Sequence, residues 1–230
     1  LGTYNRFASL KKCVASIRFA ATTAGVYEIV VVDGGSTDGT REWLREQPCV
    51  LPIFQDGPLT GAVLAFNLGF AHCVERAHDF VAHFNDDAEF VTDDALGRAI
   101  GLMNADPKIG EVAFEHDLRG EWKCEHINGA PYANFGVVRR EAGEAVARAQ
   151  GDPSGRAWWN PIYRTYGADT EFGVWMWKLG YRILVSSTPG MPGGLRVHDV
   201  NARDALRAAN HQPNGKSADS ELFWSRWRNE

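Results

Sequence analysis

The sequence predicts an α/β protein in which a mostly parallel central sheet lies between two layers of helices. Apolar runs of strand length alternate along the chain with segments whose apolar residues recur at helical spacing. Two of these runs, "YEIVVV" and "FVAHF", lead directly into the turns "DGGSTDG" and "NDDAEF". Ligands of parallel α/β sheets bind beyond the carboxyl ends of the strands, so both turns are expected to border a binding site.

The first half of the chain alternates regularly between helix and strand. Phe7, Leu10, Val14 and Ile17 recur at helical spacing and open the series. We predict helices around residues 7–17, 40–47 and 63–74, and strands at 27–32, 49–54 and 80–84. The first two residues of the chain resemble the end of a strand, so we expect that strand to begin upstream of the sequence.

The pattern is weaker in the second half. We predict a helix at 94–105, a strand at 111–115 and an irregular stretch up to residue 133. A strand then runs into a helix over 134–149, and after a loop at 151–167 a clear helix is ended by Gly180. A strand at 181–186 and a short amphipathic segment at 222–227 complete a single domain over residues 1–230.

The composition excludes some classes of function. A chain of 230 residues with 44% hydrophobic residues can bury a substantial core. Its formal net charge of -5 argues against a general nucleic-acid surface, since such surfaces need clustered lysine and arginine. No apolar run approaches the roughly 18 residues of a membrane-spanning helix. The four cysteines form no CxxC pair, which favours free thiols and a cytoplasmic protein, compatible with peripheral membrane association through a partner.

Five segments of the sequence resemble one known family. "TYNRFASLKKCVASI", "EIVVVDGGSTDGT", "VAHFNDDAEF", "VVRREAGEAV" and "YGADTEFGVWMWKLGYRI" occur in the order and spacing of glycosyltransferase family 2, and together span nearly the whole chain. The resemblance implies a GT-A fold, a Rossmann-like three-layer α/β/α sandwich. It also implies that residues 1–90 bind a nucleoside diphosphate sugar and that residues 91–230 bind the acceptor.

The family's chemistry is inverting transfer of a sugar to a hydroxyl of a glycan or another acceptor. The resemblance implies a UDP-, GDP- or dTDP-sugar as donor. Negative charge develops on the leaving phosphate, and an acidic protein stabilises this charge most readily with Mn²⁺ or Mg²⁺. A hard divalent ion needs only one or two protein carboxylates when phosphate oxygens and water complete its coordination.

The acidic turn after the strand at 80–84 is the predicted metal site. Asp87 matches the last acid of the family's DxD motif, which binds the metal, and Asp86 matches the middle position near the ribose. Asn85 replaces the first acid. Strand alternation would point the two aspartates in opposite directions unless the backbone turns there. His198 occupies a place where family members have a histidine near the metal or diphosphate. Two aspartates at a strand end can also simply cap a turn.

The nucleotide is predicted to bind at the ends of the first two strands. By resemblance, Thr3, Tyr4 and Arg6 flank the nucleotide. In "DGGSTDGT" the family's second aspartate, near the nucleobase, is replaced by Gly34, so Asp33 is the acid that could substitute for it. A plain βα turn explains these glycines equally well.

An inverting transfer needs a base that deprotonates the acceptor hydroxyl. In "YGADTEFG" the resemblance places the base at Asp169, with Glu171 as the nearest rival, while Ala168 replaces the family's usual glutamate. Asp169 also suits the N-cap of the following helix.

Tryptophans are concentrated in the half assigned to the acceptor. Sugar rings present apolar C–H faces, so Trp158 and Trp159 on their loop are predicted acceptor platforms. Trp175 lies on an apolar helix face and is expected in the core, and the position of Trp177 leaves its role open.

Three other interpretations remain at this stage. A retaining transferase or a sugar nucleotidyltransferase has a similar nucleotide-binding half, although the glycine-rich, basic loop that grips a triphosphate is absent from the first segment. A degenerate member could bind a nucleotide sugar or a glycan without turnover, because Asn85, Gly34 and Ala168 replace expected acids.

Overall fold

The computed structural model describes residues 1–118, 121–186, 194–199 and 218–228 of the chain. Within these residues the predicted helices are confirmed, with ends that shift by one or a few positions. The helices are α1 (Phe7–Ala20), α2 (Thr40–Glu46), α3 (Ala62–Glu75), α4 (Ala95–Ala105), α5 (Arg140–Ala149), α6 (Ala168–Lys178) and α7 (Ala218–Trp227). None of the described helices combines the length and the apolar character needed to cross a membrane.

The strands of the described residues follow the same alternation up to residue 113. They are β1 (Gly2–Thr3), β2 (Ile29–Asp33), β3 (Val50–Phe54), β4 (Phe80–His83), β5 (Ala88–Phe90), β6 (Ile109–Ala113), β7 (Glu115–Leu118), β8 (Glu121–Lys123), β9 (Glu125–Ile127), β10 (Ala130–Tyr132), β11 (Gly136–Arg139), β12 (Arg182–Val185) and β13 (Arg196–Asp199).

The first strands form the predicted parallel sheet. Strand β2 pairs in parallel with both β1 and β3, in the order β1-β2-β3. A second sheet has the order β12-β6-β11-β4, and a third has the order β5-β13-β7-β8. The carboxyl ends of β1, β2 and β4 all lead into the turns that the sequence singled out.

Strand β11 departs from the parallel pattern. It pairs antiparallel with β4 and with β6, whereas β12 pairs in parallel with β6. A parallel pair needs a crossover connection, usually a helix, and the chain between β6 and β11 contains only short strands. The chain therefore returns antiparallel at this point.

The stretch predicted to be irregular contains the short strands β7 to β10. Each has only three or four residues, and three of them carry charged side chains on their sequence "EHDL", "EWK" or "EHI". Such strands are too short and too polar to show apolar alternation, which explains why the sequence did not predict them.

Two apolar cores lie on opposite faces of the sheets. Residues of α1 and α4 pack in one core, and residues of α3, α5 and α6 pack in the other. The α/β prediction with helices on both sides is therefore confirmed, and the alternation of buried residues in β4 between the two cores shows the same layering.

A cavity of about 460 Å³ lies between β2 and β4 on the side of their first residues. Leu1 borders it, and the backbone nitrogen of Leu1 lies 3.1 Å from the Val30 carbonyl oxygen. The acidic turn lies at the other end of β4, away from this cavity.

Candidate active site

A cleft of about 250 Å³ lies at the carboxyl ends of β1, β2 and β4. The loops that precede α3 and α6 form its remaining walls. We call it the donor cleft. Of the predicted site residues, those that line it are Thr3, Tyr4, Arg6, Gly34, Asp86, Asp87, Trp159 and Asp169.

The two aspartates after β4 converge on one arginine. Strand β4 ends at His83, and the turn that follows is closed by a hydrogen bond from the Ala88 N–H to the Asn85 carbonyl at 3.2 Å. One guanidinium nitrogen of Arg6 lies 2.8 Å from Asp86 Oδ1 and 3.5 Å from Asp87 Oδ2. The backbone turn therefore overrides strand alternation and brings both carboxylates to the same wall of the cleft.

Asp86 is held firmly on both oxygens. The Thr3 hydroxyl donates to its Oδ2 at 2.8 Å, while Arg6 donates to its Oδ1. Burial raises the pKa of Asp86 to about 6, against the opposing effect of Arg6. The side chain is only 3% exposed, so its position is fixed before any ligand arrives.

The acidic turn fits a divalent ion that binds together with a diphosphate. Carboxylates are ligands that Mg²⁺ and Mn²⁺ prefer, and Asp86 and Asp87 both face the cleft. Among the described residues no group of three or more histidine, cysteine or acidic side chains is arranged to hold a metal alone. The oxygens of a bound ligand and water would therefore have to complete the coordination.

His198 is not brought to the donor cleft. It lies on β13 opposite Glu89 of β5, and its Nδ1 is 3.5 Å from Asp117 Oδ2. Its side chain is half exposed and is not part of the cleft wall. The structure thus gives the predicted histidine ligand a surface contact with Asp117 in place of a contact with the acidic turn.

Asp33 organises the turn after β2. Its fully buried carboxylate accepts hydrogen bonds from the backbone N–H groups of Gly35 and Ser36, and from Arg41 Nε at 2.7 Å. The side chain does not border the donor cleft. This geometry supports the plain βα turn and not a contact between Asp33 and a nucleobase.

Gly34 lines the donor cleft, and the side chain of Leu59 occupies the space beside it. A Cβ atom at this position would lie 2.7 Å from Leu59 Cδ1. An aspartate could be accommodated here only if Leu59 moved. The departure from the family pattern at Gly34 is therefore coupled to Leu59, which also lines the cleft.

Asn5 joins the turns after β1 and β2 and was not singled out from the sequence. Its backbone has a positive φ of 50°, and its N–H donates to Ser36 Oγ at 2.8 Å. Its side-chain oxygen accepts a hydrogen bond from the Thr37 N–H at 2.8 Å. Asparagine is enriched at such left-handed positions, so the residue type was a usable signal. It fixes the turn that carries Tyr4 and Arg6.

Asp169 lies in the first turn of α6 and lines the donor cleft together with the acidic turn. The N-cap of the helix is Gly167, with φ of 81°, so the interpretation of Asp169 as the N-cap is wrong. The Thr170 N–H donates to Asp169 Oδ1 at 2.9 Å. Burial raises the pKa of Asp169, against the effects of this hydrogen bond and of His83.

Glu171 faces away from the cleft and is saturated with hydrogen bonds. It has no exposed surface, and its oxygens accept from Asn160 Nδ2 at 2.8 Å and from Trp227 Nε1 at 2.9 Å. The Tyr163 hydroxyl also donates to it, as do Nε and a terminal nitrogen of the Arg226 guanidinium. Burial by itself raises the pKa of Glu171, but these donors lower it overall. This placement supports a structural role and not that of a base.

Ala168 does not face the cleft. It is 2% exposed and packs in the apolar core with α3 and α5. The acid missing at this position therefore leaves no gap in the wall of the donor cleft.

The structure places the two loop tryptophans in different surroundings. Trp158 has no exposed surface and stacks on Phe70, with ring centroids 4.7 Å apart. A Cβ atom on Gly143 would lie 2.4 Å from its indole, so the neighbouring helix is shaped around this ring. An acceptor contact by Trp158 is thus not supported. Trp159 is 6% exposed and borders the donor cleft beside Phe66.

Arg164 is a cleft residue that the sequence did not reveal. It borders the donor cleft, and its guanidinium donates to the Leu59 carbonyl at 3.1 Å. Among the described residues no carboxylate forms an ion pair with this guanidinium, so its positive charge is not neutralised there. A single arginine in a loop carries no motif, and only the fold places it near the acidic turn.

A buried histidine–glutamate pair, His83 and Glu111, lies near Asp169. His83 Nε2 is 2.9 Å from Glu111 Oε1, and both side chains are at most 2% exposed. The His83 ring contacts Trp159 edge to face at 5.7 Å. Burial raises the pKa of Glu111 against the opposing effect of His83, and the nearby charge of Asp169 raises it further. These two residues lie within apolar strands, where no sequence signal distinguished them.

The fold is that of an α/β domain whose acidic turn lies at the carboxyl edge of its strands. The chain belongs to glycosyltransferase family 2, because residues 1–170 match the model described as glycosyl transferase family 2. This confirms the family that the five sequence segments predicted. No curated protein sequence matches the chain.

Solved structures share this fold. The mannosyltransferase PcManGT from Pyrobaculum calidifontis, in complex with GDP-Man and Mn²⁺, has a TM-score of 0.63 and 19% identity over 91% of this chain and 58% of its own. TarS 1–349 from S. aureus, in complex with UDP-GlcNAc, has a TM-score of 0.64 and 16% identity over 97% of this chain and 62% of its own. GalNAc-T7, with UDP, GalNAc and Mn²⁺, has a TM-score of 0.62 and 15% identity over 86% of this chain and 42% of its own.

These likenesses show a GT-A fold. The chain spans less than two thirds of the length of each of these three proteins.

Proposed function

We propose that this protein transfers a sugar from a nucleoside diphosphate sugar to an acceptor hydroxyl, with inversion at the anomeric carbon and with the help of a divalent ion. The observation that carries the proposal is that Asp86, Asp87 and Asp169 line one cleft. In this proposal residues 1–90 bind the donor, and the half at 91–230 supplies the base and binds the acceptor.

The nucleotide binds where Thr3, Tyr4, Arg6 and Gly34 line the donor cleft. Thr3 and Arg6 hold the Asp86 carboxylate in place for the ribose hydroxyls. Tyr4 borders the same wall, and Leu59 fills the space beside Gly34, so the nucleobase contacts an apolar surface there in place of the family's usual acid. Backbone groups and side-chain amides then have to supply the base specificity.

The diphosphate is bound between the acidic turn and Arg164. Asp87, with diphosphate oxygens, would hold the divalent ion, which when bound stabilises the negative charge of the leaving group. The guanidinium of Arg164, which has no ion-pair partner among the described residues, lies on the loop before α6 in the same cleft and binds phosphate oxygens directly. A protein with a net charge of -5 needs such local positive charge to bind an anionic donor.

The transfer step uses Asp169 as the base. The acceptor oxygen attacks the anomeric carbon as its proton passes to the Asp169 carboxylate, and the bond between that carbon and the diphosphate oxygen breaks. Attack on the face opposite the leaving group inverts the anomeric configuration. Burial raises the pKa of Asp169, which makes its carboxylate a stronger proton acceptor than an exposed aspartate.

A thermal-shift screen tests donor binding and metal dependence together. Nucleoside diphosphates and their sugars are added with Mn²⁺ or with a chelator. A ligand at roughly 100 times its Kd adds about 2.7 kcal/mol, or about 5–10 °C in Tm for a chain of this size. We expect such a shift with Mn²⁺, its loss in Asp87→Asn, and its retention in the matched surface control Asp93→Asn.

A transfer and hydrolysis assay on the donor that binds separates catalysis from binding. Cleavage of that donor in the presence of Mn²⁺, with an inverted anomeric product, supports the proposal. An equal shift in Asp87→Asn contradicts the metal assignment. Metal-dependent binding without any cleavage contradicts the transferase function and favours the non-catalytic interpretation.

A further inference from the structure

A second cavity, of about 400 Å³, adjoins the donor cleft. We call it the side cavity. The β9–β10 hairpin, the start of α6 and one face of α7 form its walls. Asn134, Tyr166 and Asp169 line both the side cavity and the donor cleft. A molecule in the side cavity therefore lies next to the proposed base and to the donor.

The lining of the side cavity is aromatic and amide-rich. Its described lining contains no lysine or arginine, so an anionic group finds no ammonium or guanidinium partner among these residues, whose basic side chain is His126. The aromatic side chains that line it are Tyr132, Tyr166, Phe223 and Trp224, and the amides are Asn128 and Asn134. Aromatic faces carry partial negative charge and attract C–H groups, while amides donate to and accept from hydroxyls. This combination fits a neutral saccharide.

Trp224 is the most exposed of these aromatic residues. It is 44% exposed and contacts Phe223 edge to face, with ring centroids 5.4 Å apart. Phe223, by contrast, is 4% exposed and belongs to the core. Phe223 thus anchors α7 in the core, while the indole of Trp224 remains available to a ligand.

Helix α7 is fixed at both ends, so Trp224 is presented by a rigid element. Near its start, Asp219 accepts hydrogen bonds from the backbone N–H groups of Thr165 at 2.6 Å and Tyr166 at 2.9 Å. Near its end, Trp227 and Arg226 donate to Glu171 of α6. A ligand platform on such an anchored helix keeps its geometry when the ligand binds.

A glycine lies where α7 meets the start of α6. Gly167 has φ of 81°, a backbone conformation that favours glycine, and a Cβ atom there would lie 3.4 Å from Phe223 Cβ. This approach sets α7 beside the helix turn that carries Asp169.

We propose that the side cavity binds a neutral saccharide unit of the acceptor, with Trp224 as its stacking platform and a hydroxyl of that unit directed to Asp169. The inference rests on the proposed transferase function. It assigns the acceptor platform to Trp224, where the sequence had predicted Trp158 and Trp159. It also names the acceptor class as a neutral glycan and not an anionic or lipid-phosphate molecule.

The test uses cellobiose, maltose, mannobiose and chitobiose as probes, with glucose 6-phosphate as an anionic comparison. Saturation-transfer NMR measures their binding to the full chain in the presence of the best nucleoside diphosphate and Mn²⁺. We expect at least one disaccharide to bind, and Trp224→Ala to weaken its Kd roughly 3- to 10-fold, the range of a lost aromatic contact. Trp224→Phe should retain most of the affinity.

Leu222→Ala is the matched control. Leu222 lies on the same helix, is 36% exposed and does not line the side cavity, so its truncation should leave disaccharide binding unchanged. The Mn²⁺-dependent Tm shift with the nucleotide should also remain unchanged in Trp224→Ala, because Trp224 does not border the donor cleft.

The outcomes separate this inference from the proposed function. Disaccharide binding that is equal in Trp224→Ala and the natural protein, no disaccharide binding at all, or a preference for glucose 6-phosphate overturns the inference. If the natural protein shows no metal-dependent nucleotide binding, the proposed function fails instead, whatever the disaccharides do.

Discussion

Asp169 and Glu171 are separated by one residue in the first turns of α6 and have opposite environments. Two positions along an α-helix correspond to a rotation of about 200°, so their side chains lie on opposite faces. Asp169 borders both cavities and has a raised pKa, whereas Glu171 has no exposed surface and a lowered pKa.

The number of hydrogen-bond donors explains the difference. Four side chains donate to Glu171, and every donor stabilises the ionised form. The described contacts of Asp169 come from its neighbour Thr170, so burial dominates its pKa. A buried carboxylate that is saturated with donors holds the structure together, while a half-buried carboxylate that borders a cleft without such donors is suited to accept a proton.

The largest expected effect is on the rate of Asp169→Asn. Replacement of the carboxylate by an amide removes the proton acceptor, and we expect kcat for transfer to fall about 10²- to 10⁴-fold. Steady-state transfer assays measure this fall, and the Mn²⁺-dependent Tm shift should be retained because Asp86 and Asp87 are unchanged. A loss of less than tenfold would contradict the role of base.

Glu171→Gln should act on stability. The amide keeps the shape of the side chain but presents N–H groups to donors, and Arg226 loses its charged partner. We expect the free energy of unfolding to fall by about 3 kcal/mol, as for a disrupted buried network. Urea denaturation measures this loss. A change within about 0.5 kcal/mol would show that the hydrogen bonds to Glu171 do not contribute as described.

Tyr163→Phe removes a single donor from the same cluster. The ring remains buried, and only the hydroxyl that donates to Glu171 is lost. We expect a destabilisation of about 1 kcal/mol, with kcat unchanged. Denaturation and transfer assays on the same preparation measure both quantities. A fall in kcat without a fall in stability would mean that this cluster acts on the reaction.

The pH dependence of stability should have opposite signs for the two acids. The pKa of Glu171 is below its ordinary value of 4.5 in the folded protein, so its contribution is present above that pH and is lost as the pH falls through the folded value. The stability gap between the natural protein and Glu171→Gln should therefore narrow in acid.

Asp169 should behave in the reverse way. Its pKa is raised in the folded protein, so folding disfavours its carboxylate, and stability is lost as the pH rises from the ordinary value of 3.8 through the folded value. Asp169→Asn removes this loss, so its free energy of unfolding should rise relative to that of the natural protein as the pH approaches neutrality. Urea denaturation over a pH series measures both variants, and the same sign for both would contradict the comparison.

Much of the fold could be predicted from the sequence, because it depends on local patterns. Apolar periodicity located the helices, and the run at 27–32 located the buried parallel strand β2. The short strands β7 to β10 could not be predicted, because each has only three or four residues and shows no apolar alternation. The N-caps at Gly39 and Gly167 were also missed, since the acidic and hydroxyl residues nearby are the commoner caps.

The candidate site was predictable only in part, for a related reason. The motif located the acidic turn and Asp169, but the shared contact of Asp86 and Asp87 with Arg6 follows from a backbone turn that alternation does not describe. Glu171 appeared as a rival base because its donors Arg226 and Trp227 lie 55 and 56 residues away. The same distance concealed the approach of Trp224 to the start of α6.

An NMR titration of the two carboxyl groups in the natural protein tests directly whether Asp169 and Glu171 have opposite environments. Carboxyl ¹³C signals are assigned with Asp169→Asn and Glu171→Gln and followed with pH. We expect Asp169 to titrate above its ordinary pKa of 3.8 and Glu171 to titrate below its ordinary pKa of 4.5. An Asp169 signal that titrates at or below 3.8, together with a Glu171 signal above 4.5, would reverse the two roles and contradict the account.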